Sequence, residues 1–499
     1  MSAVSTKSTR RAIVREVTEG VPVSPTGSAN FLALQEGFDH GFSFETLENA
    51  ELKGSIGQSK SILGLETSTP TMSHYLRHSG TEATAPGYSL LLESLFGRTQ
   101  IRATERDTVV GSTTLVVNVA GGEGVEFLKG DLVLVKDAVN GFAIRPVESV
   151  ATDALTLGFA LSTAPAAAVN LGRSIMYRPA DDLHPTMTVW DYIGNGGIIK
   201  MSSGNRVVSG SFSFEAGQLI NADYSMEGIK VYWNPVVITA ANQAMDFNDG
   251  TQRNALVPIG VYKDTIDFVN ALSSSMNALT ADAITVSYSS ITGRYTLTSD
   301  GATFGLLFDT GTNAAETIAA VLGFPAADQT AALTYTSATP IALGSPFSPA
   351  FDSSDPLSAK ANLMMLGGPT DNLCVAASSV TVSVTNTKAN INSICSESGV
   401  ASSLITERAV TVSMTLQLNQ YESARFHRFH ENETTRFMYI FGTKSGGNWV
   451  AGKCGAIYIP TAVISSLETA DQDSYQIVNI ELTGFVNDLG QGEVFLGFV

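Results

Sequence analysis

Two distant stretches decide the reading when set side by side: GGIIKM at 196–201, followed by a hairpin-like run and ADYSMEG at 222–228, and CGAIYI at 454–459, followed by a comparable run and VNIELTG at 478–484. They align with Gly197 on Gly455, Ile199 on Ile457 and Gly228 on Gly484. Upstream, NAELKGSI at 49–56 and KANINSIC at 388–395 each lead through a Ser-rich segment to a Thr-rich strand, TSTPTMS or RAVTVSM, and then to a helix. Strand, loop, strand, helix, strands therefore occurs twice, which marks a duplicated unit.

Outward from these stretches, most of the chain alternates apolar and polar residues over five to eight positions between Gly, Asn, Asp and Ser, the period of half-buried strands. The fold class is mainly β, a duplicated sandwich with flanking helices. Pro86-Gly87 opens one helix, with Tyr88, Leu91, Leu92 and Leu95 on one face and a stop at Gly97. A second begins near Asn419 and lines up Tyr421, Phe426 and Phe429. The halves are 1–100 with 181–234, and 356–499.

What remains reads as two insertions, each a self-contained unit with its own apolar set. Residues 101–180 hold TTLVVNV, DLVLVKD and ALTLGFAL in quick succession and predict an inserted β domain, a small antiparallel β-barrel or sandwich. Residues 235–355 predict an α+β unit, with a helix carrying Phe268, Leu272, Met276 and Leu279, a hairpin around Thr292-Gly293 and an Ala-rich helix at 313–322. This second insertion has 11 acidic and 3 basic residues, −8 of the chain's net −18.

That acidity excludes a surface that reads nucleic acid, whose affinity comes from clustered Lys and Arg. Charged residues are only 15% of the 499, which suits a surface largely covered by partners. No apolar run approaches the roughly 20 residues of a membrane helix. Cys374, Cys395 and Cys454 lack metal-ligand spacing and read as reduced packing residues.

Chemistry-bearing motifs are weak. His427 and His430 with Glu431 share a helix without a third ligand. DFNDGT at 246–251 lacks the acidic twelfth position of a calcium loop, Val257 standing there, and is read as a turn. GTKSGG at 442–447 lacks the spacing of a phosphate cradle and reads as a hairpin loop. Asp181, Asp182 and His184 cluster without a nucleophile motif. No catalytic residue, metal ligand or cofactor is assigned.

The entry segment REVTEGVPVSPTGSANFLALQEG at 15–37, the strand pair SGSFSFEAGQLINADYSMEGIKV at 209–231, and the run from Arg408 to Gly484 with its I-x-I-P-x-A element at Ile457 to Ala462 resemble the tail tube proteins of long-tailed, siphovirus-like bacteriophages. The resemblance covers the two halves, ~60% of the chain, and only loosely the insertions. It implies flattened sandwiches joined sheet to sheet into a ring whose inner wall is a continuous β-barrel, with rings stacked into a tube for DNA ejection. Rings of this family hold six such folds, so a duplicated chain would form trimeric rings. Implied partners are further copies, the tape measure, terminator and tip proteins of the tail, and passing genomic DNA that is not specifically bound, with no membrane. The implied location is the virion tail, after assembly in the host bacterial cytoplasm. The alternative is a virion decoration protein or adhesin holding bacterial surface glycans, but Trp190, Trp233 and Trp449 are scattered rather than clustered.

Two segments are candidates for contact between rings. Lys7, Arg10, Arg11 and Arg15 form a basic N-terminal arm, expected to be solvated in the single chain and to dock on an acidic neighbour. The loop from Gly54 to Gly64 carries Ile56, Ile62 and Leu63, apolar groups that a partner would bury.

Overall fold

The computed structural model describes all residues except 1–5, 52–59, 140, 182, 195–197, 331, 341–347, 370–371, 375–376, 397, 419–428, 430, 473–474 and 487–491. The chain is mainly β, as its period-2 pattern requires. The first half contributes β1 (Arg10–Arg15), β2 (Asp39–Leu47), β3 (Ile62–Tyr75), α1 (Ser89–Phe96), β4 (Met187–Ile193), β5 (Ile198–Glu215), β6 (Asn221–Glu227) and β7 (Lys230–Trp233). After α2 (Thr265–Asn277) the second half contributes β8 (Leu363–Gly367), β9 (Ala377–Asn392), β10 (Val400–Gln417), β11 (Thr435–Ser445), β12 (Asn448–Gln472), β13 (Tyr475–Gly484) and β14 (Phe495–Phe498).

The same pairings occur twice. In the first half β2 pairs with β3, β3 with β6 and β6 with β5, whose opening residues pair with β4 and β7, and β4 pairs with β1. In the second, β9 pairs with β10, β10 with β13 and β13 with β12, which also pairs with β11 and β14, and β11 pairs with β8. Even a β-bulge recurs: Val207 faces Met226 and Ser209 faces Ser225, while Ile464 faces Leu482 and Ser466 faces Glu481, with one residue skipped each time.

This register corrects the alignment read from sequence. Val207 falls on Ile464, so Lys200, not Ile199, falls on Ile457. Ile199 packs in an outer cluster with Trp190 and Tyr192, whereas Ile457 lies in the main core. A slip of one residue turns a strand's side chains to the opposite face, which sequence likeness alone does not register. Gly197 lies outside the described residues. Gly228 and Gly484 do correspond, bridging Ser68 on β3 and pairing with Val410 on β10 respectively. A Cβ at Gly228 would collide with the side chains of Asn205 and Ser68.

One core serves both halves, holding Met72, Phe212 and Tyr224 of the first with Val382, Val412 and Leu482 of the second. Helix α1 starts after Pro86-Gly87, ends at Gly97 with φ +109°, and buries Leu91, Leu92 and Leu95. Each such leucine contributes about 1.5–3 kcal/mol. Leu95 lies over Gly210 of β5, where a Cβ would strike it.

The insertions differ in how they attach. Phe247, Phe268, Leu272, Met276, Tyr295 and Leu297 form a core of the second insertion distinct from the main one. Its helix α2 is capped by Asp264, whose carboxylate accepts from the Ile266 and Asp267 N–H groups at 2.9 Å. Within the first insertion, Val117, Val135, Val147 and Leu155 cluster together, but Leu132, Leu134, Ile144 and Phe159 pack against Met438, Ile440, Tyr458 and Phe495. It is therefore not self-contained, because one side of its apolar set is completed by β11, β12 and β14. Gly97–Arg102 and Ser174–Pro179 are strands of the main sheet, the latter paired with both the former and β14.

Candidate channel face and assembly edges

The halves are joined by a strand pair. Residues 209–215 of β5 run antiparallel to 379–385 of β9, from Ser209 opposite Thr385 to Glu215 opposite Ser379. Eight strands thereby lie side by side in the order β2, β3, β6, β5, β9, β10, β13, β12.

One face of this sheet is core. Alternation puts different chemistry on the other: Thr69, Thr71 and Ser73 on β3, Asn221, Asp223 and Ser225 on β6, Ser209, Ser211 and Ser213 on β5, Thr381, Ser383 and Thr385 on β9, Thr411, Ser413 and Thr415 on β10, and Asn479, Glu481 and Thr483 on β13. None of these positions holds Lys or Arg. Side chains tie the face together: Thr415 Oγ1 donates to Asn479 Oδ1 at 2.9 Å, and Ser73 donates to Asp223. A polyanion moving along such a face meets short neutral groups and a few carboxylates, with no cation to capture its phosphates. The signal lay in SVTVSVT at 379–385 and SGSFSFE at 209–215, where apolar residues alternate with Ser and Thr.

The sheet has two open edges. Among the described residues β2 pairs only with β3, and residues 466–472 of β12 pair only with β13. Phe42 lies opposite Ser68 as Val384 lies opposite Val410, so β2 corresponds to β9. Ser466 corresponds to Ser209, so the end of β12 corresponds to that of β5. The open edges are thus the counterparts of the two that meet inside the chain. Exposure records the difference: Phe42 is 42% and Phe44 38% exposed, while the corresponding Val384 and Asn386 are 0% and 4%.

The residues expected between rings fall in different places. Lys7 is exposed beside Glu36, 3.4 Å away, and Arg10 is exposed at the start of β1. Arg15 pairs with Glu93. Arg11 corrects the expectation of a solvated arm: Arg10–Arg15 is a strand paired with β4, and Arg11 is buried because Asp191 meets its guanidinium at 2.6 Å. Its remaining N–H groups donate to the Thr71 and Asp39 carbonyls. Ile62 and Leu63 are exposed at the start of β3, opposite Leu47 and Thr46, and Ile56 lies outside the described residues.

Sequence reasoning also missed a Ser-His-Asp arrangement in this cluster. His40 Nδ1–H donates to Asp191 Oδ2 at 2.9 Å, and His40 Nε2 accepts from the Ser202 hydroxyl at 2.8 Å. Burial is strong for all three, and Asp191 is already engaged by Arg11, so the arrangement joins β2, β4 and β5 without meeting a substrate. Burial raises Asp191, but Arg11 and the hydrogen bonds outweigh it and hold the carboxyl at about 2. Burial also lowers His40 despite its neighbour Asp191, keeping the ring neutral.

The other candidates are structural where they are described. His184 Nδ1–H donates to the Ser94 carbonyl at 2.7 Å and Nε2 accepts from Arg408 at 3.0 Å, fastening the end of α1. Asp246 is buried and holds Asn313. Gly446-Gly447 is the turn between β11 and β12. Trp190 and Trp449 are buried. Asp182, His427, His430 and residues 419–428 of the helix expected to begin near Asn419 lie outside the described residues.

No protein-family model matches the chain, and no curated protein matches it. Among solved structures it is similar to a chain from the tail of an empty gene transfer agent particle of C6 symmetry, at 12% identity and TM-score 0.20, over 28% of this chain and 94% of that one. It is also similar to a chain from the virion of a native gene transfer agent particle, at 10% identity and TM-score 0.18, over 24% and 88%. A third, the Hcp protein, matches at 11% identity and TM-score 0.18, over 27% and 95%.

Proposed function

We propose that this chain is a non-enzymatic structural subunit that closes into rings and stacks as the tube of a phage-type tail, with DNA passing along its Ser/Thr-lined inner wall. The observation that carries this reading is the pair of open edges on β2 and β12, counterparts of the edges already joined between β5 and β9. Repeating that internal joint between copies sets Ser466 opposite Ser43, Leu467 opposite Phe42 and Thr469 opposite His40 of the next copy. Edge after edge is then paired until the sheet closes as a barrel, which leaves no free strand. Six folds per ring, the number implied by the tail tube resemblance, means three copies. The tape measure, terminator and tip proteins of such a tail are the remaining partners, and the virion tail is the location. Between rings, Lys7, Arg10 and Arg15 are proposed to meet the acidic surface of a stacked copy, together with the segment around Ile56; the further partner of Ile62 and Leu63 is treated next. Electron microscopy of the purified protein tests the reading: hollow cylinders with three chains per six-lobed ring are expected, and six chains per ring or discrete particles contradict it.

A further inference from the structure

The first half shows how the end of a hairpin is received. Beyond the internal joint, β9 and β10 continue onto the first half. There Lys388 Nζ donates to the Glu227 carbonyl at 3.3 Å, Arg206 Nε donates to Ser403 Oγ at 3.1 Å, and Ser403 donates to Glu19. Gly399 approaches Leu65 of β3 so closely that a Cβ would collide with it. The receiving surface is the part of β3 that runs past Gly228, where β6 has ended.

The second half has the same surface without an occupant among the described residues. Leu65 and Gly228 correspond to Glu407 and Gly484, which line a cavity of about 760 Å³. Ile405, Val486, Leu128 and Phe495 supply apolar lining.

We infer that this cavity receives the described end of the β2–β3 strand pair of a second copy, Leu47 with Ile62 and Leu63, an inference that rests on the ring reading above. The internal joint fixes the direction: pairing β12 with the next copy's β2 carries that copy's hairpin onto the surface that β9 and β10 occupy on the first half. The chemistry of the two sides matches. Leu47, Ile62 and Leu63 are exposed on the hairpin, as are Leu128 and Val486 at the cavity. Arg98, exposed in the cavity wall, has no partner among the described residues, nor have Glu45 and Glu48 on the hairpin, but Asp181 and Glu407 stand unpaired in the same wall and offset it, so the match between the two sides lies in their apolar groups. Ile62 and Leu63 thereby gain a partner within their own ring, where sequence reasoning had set them against a stacked one.

The test places the photoreactive residue p-benzoylphenylalanine at Leu63 in otherwise unaltered full-length protein, irradiates the assembled rings and maps the linked peptides. Links to the segments around Ile405–Arg408 or Phe485–Val486 of another copy, saturating at three chains, are the result expected. Links elsewhere, or beyond three chains, overturn the inference. Val486→Lys and Leu63→Lys change exposed positions and should leave the single chain folded while raising the concentration needed for rings about tenfold or more; unchanged ring formation in both overturns it as well. The control is an edge disulfide from Phe42→Cys with Leu467→Cys. Covalent trimers without cavity links sink this inference alone, whereas loss of both sinks the ring reading.

Discussion

Val384 and Phe42 occupy the same place in two copies of one strand arrangement, yet Val384 is sealed by β5 while Phe42 faces solvent beside Phe44. A free edge carrying aromatic residues is a hazard for a protein that stays single, and proteins that do so blunt such edges with charge or bulges. Here the edge carries Asp39, Glu45 and a bulge between Phe44 and Thr46 yet keeps its aromatic residues exposed, and the chain contains a finished example of the joint it can make. The largest expected effect follows from that pair. Val384→Asp puts an unpaired charge into the main core and should cost more than about 4 kcal/mol, leaving little folded protein. Phe42→Asp gives up the ring's contacts with Phe44, Trp233 and the Lys200 ammonium, costing the single chain only about 1 kcal/mol, yet sets an unpaired carboxylate in each joint between copies at a cost of roughly 2 kcal/mol or more, so that rings vanish at ordinary concentrations. Denaturation curves and sedimentation together check this, and rings formed normally by Phe42→Asp would separate that edge from assembly.

A second contrast lies in the cores. Arg11, Asp191, His40 and Ser202 of the first half fall on Met364, Tyr439, Val382 and Ile459 of the second, all four in the main core. One arrangement is thus held by a buried ionic cluster at places where its twin uses apolar packing. Removing one partner of such a cluster leaves a charge stranded, so Arg11→Met should cost about 3–5 kcal/mol. Installing the full set from the other half, Arg11→Met with Asp191→Tyr, His40→Val and Ser202→Ile, should recover most of that loss. A fourfold variant no more stable than Arg11→Met would show that the halves are not interchangeable there. Asp191 is held at about 2, below its ordinary 3.8, so its contribution is complete above pH ~4 and lost as pH falls through about 2. Acid titration of the wild type should show that final loss, and the fourfold variant should lack it.

A smaller effect separates His74 from its counterpart Leu416. His74 is buried between Tyr88 and Tyr224, and its Nδ1–H donates to the Tyr75 carbonyl while Nε2 has no partner among the described residues. Burial lowers it to about 4 from an ordinary 6.5. The fold favours the neutral ring, so this contribution is full above pH 6.5 and declines as pH falls toward 4. His74→Leu should flatten stability between those values, measured as thermal midpoint against pH; an unchanged slope would place the titrating group elsewhere.

Much of this was legible in the chain. Period-2 alternation carried the strands, the Pro86-Gly87 and Gly97 signals bounded α1, and the Gly228–Gly484 correspondence exposed the repeat. Its one-residue error at Ile199 arose because apolar letters match on either face of a strand, while only pairing partners reveal which face is which. The basic run at Arg10–Arg15 hid a strand, since the residue that neutralises Arg11 lies 180 positions away at Asp191. Shared packing made Leu132 and Phe159 look like the core of a separate domain when they cluster with Met438 and Tyr458 of the second half. The channel face was written in the Ser/Thr alternation, but its meaning depended on the joint between β5 and β9, a pairing across some 170 residues that no local pattern announces.

The central claim is that this joint is repeated between copies, and one disulfide tests it most directly. In a background with Cys374→Ser and Cys395→Ser, Phe42→Cys and Leu467→Cys are introduced together, the protein is assembled and oxidised, and the products are sized under denaturing conditions without reductant. The account predicts one dominant species, a covalently closed trimer that returns to single chains on reduction. Disulfides confined within single chains, or closed products of two or six chains, would contradict it.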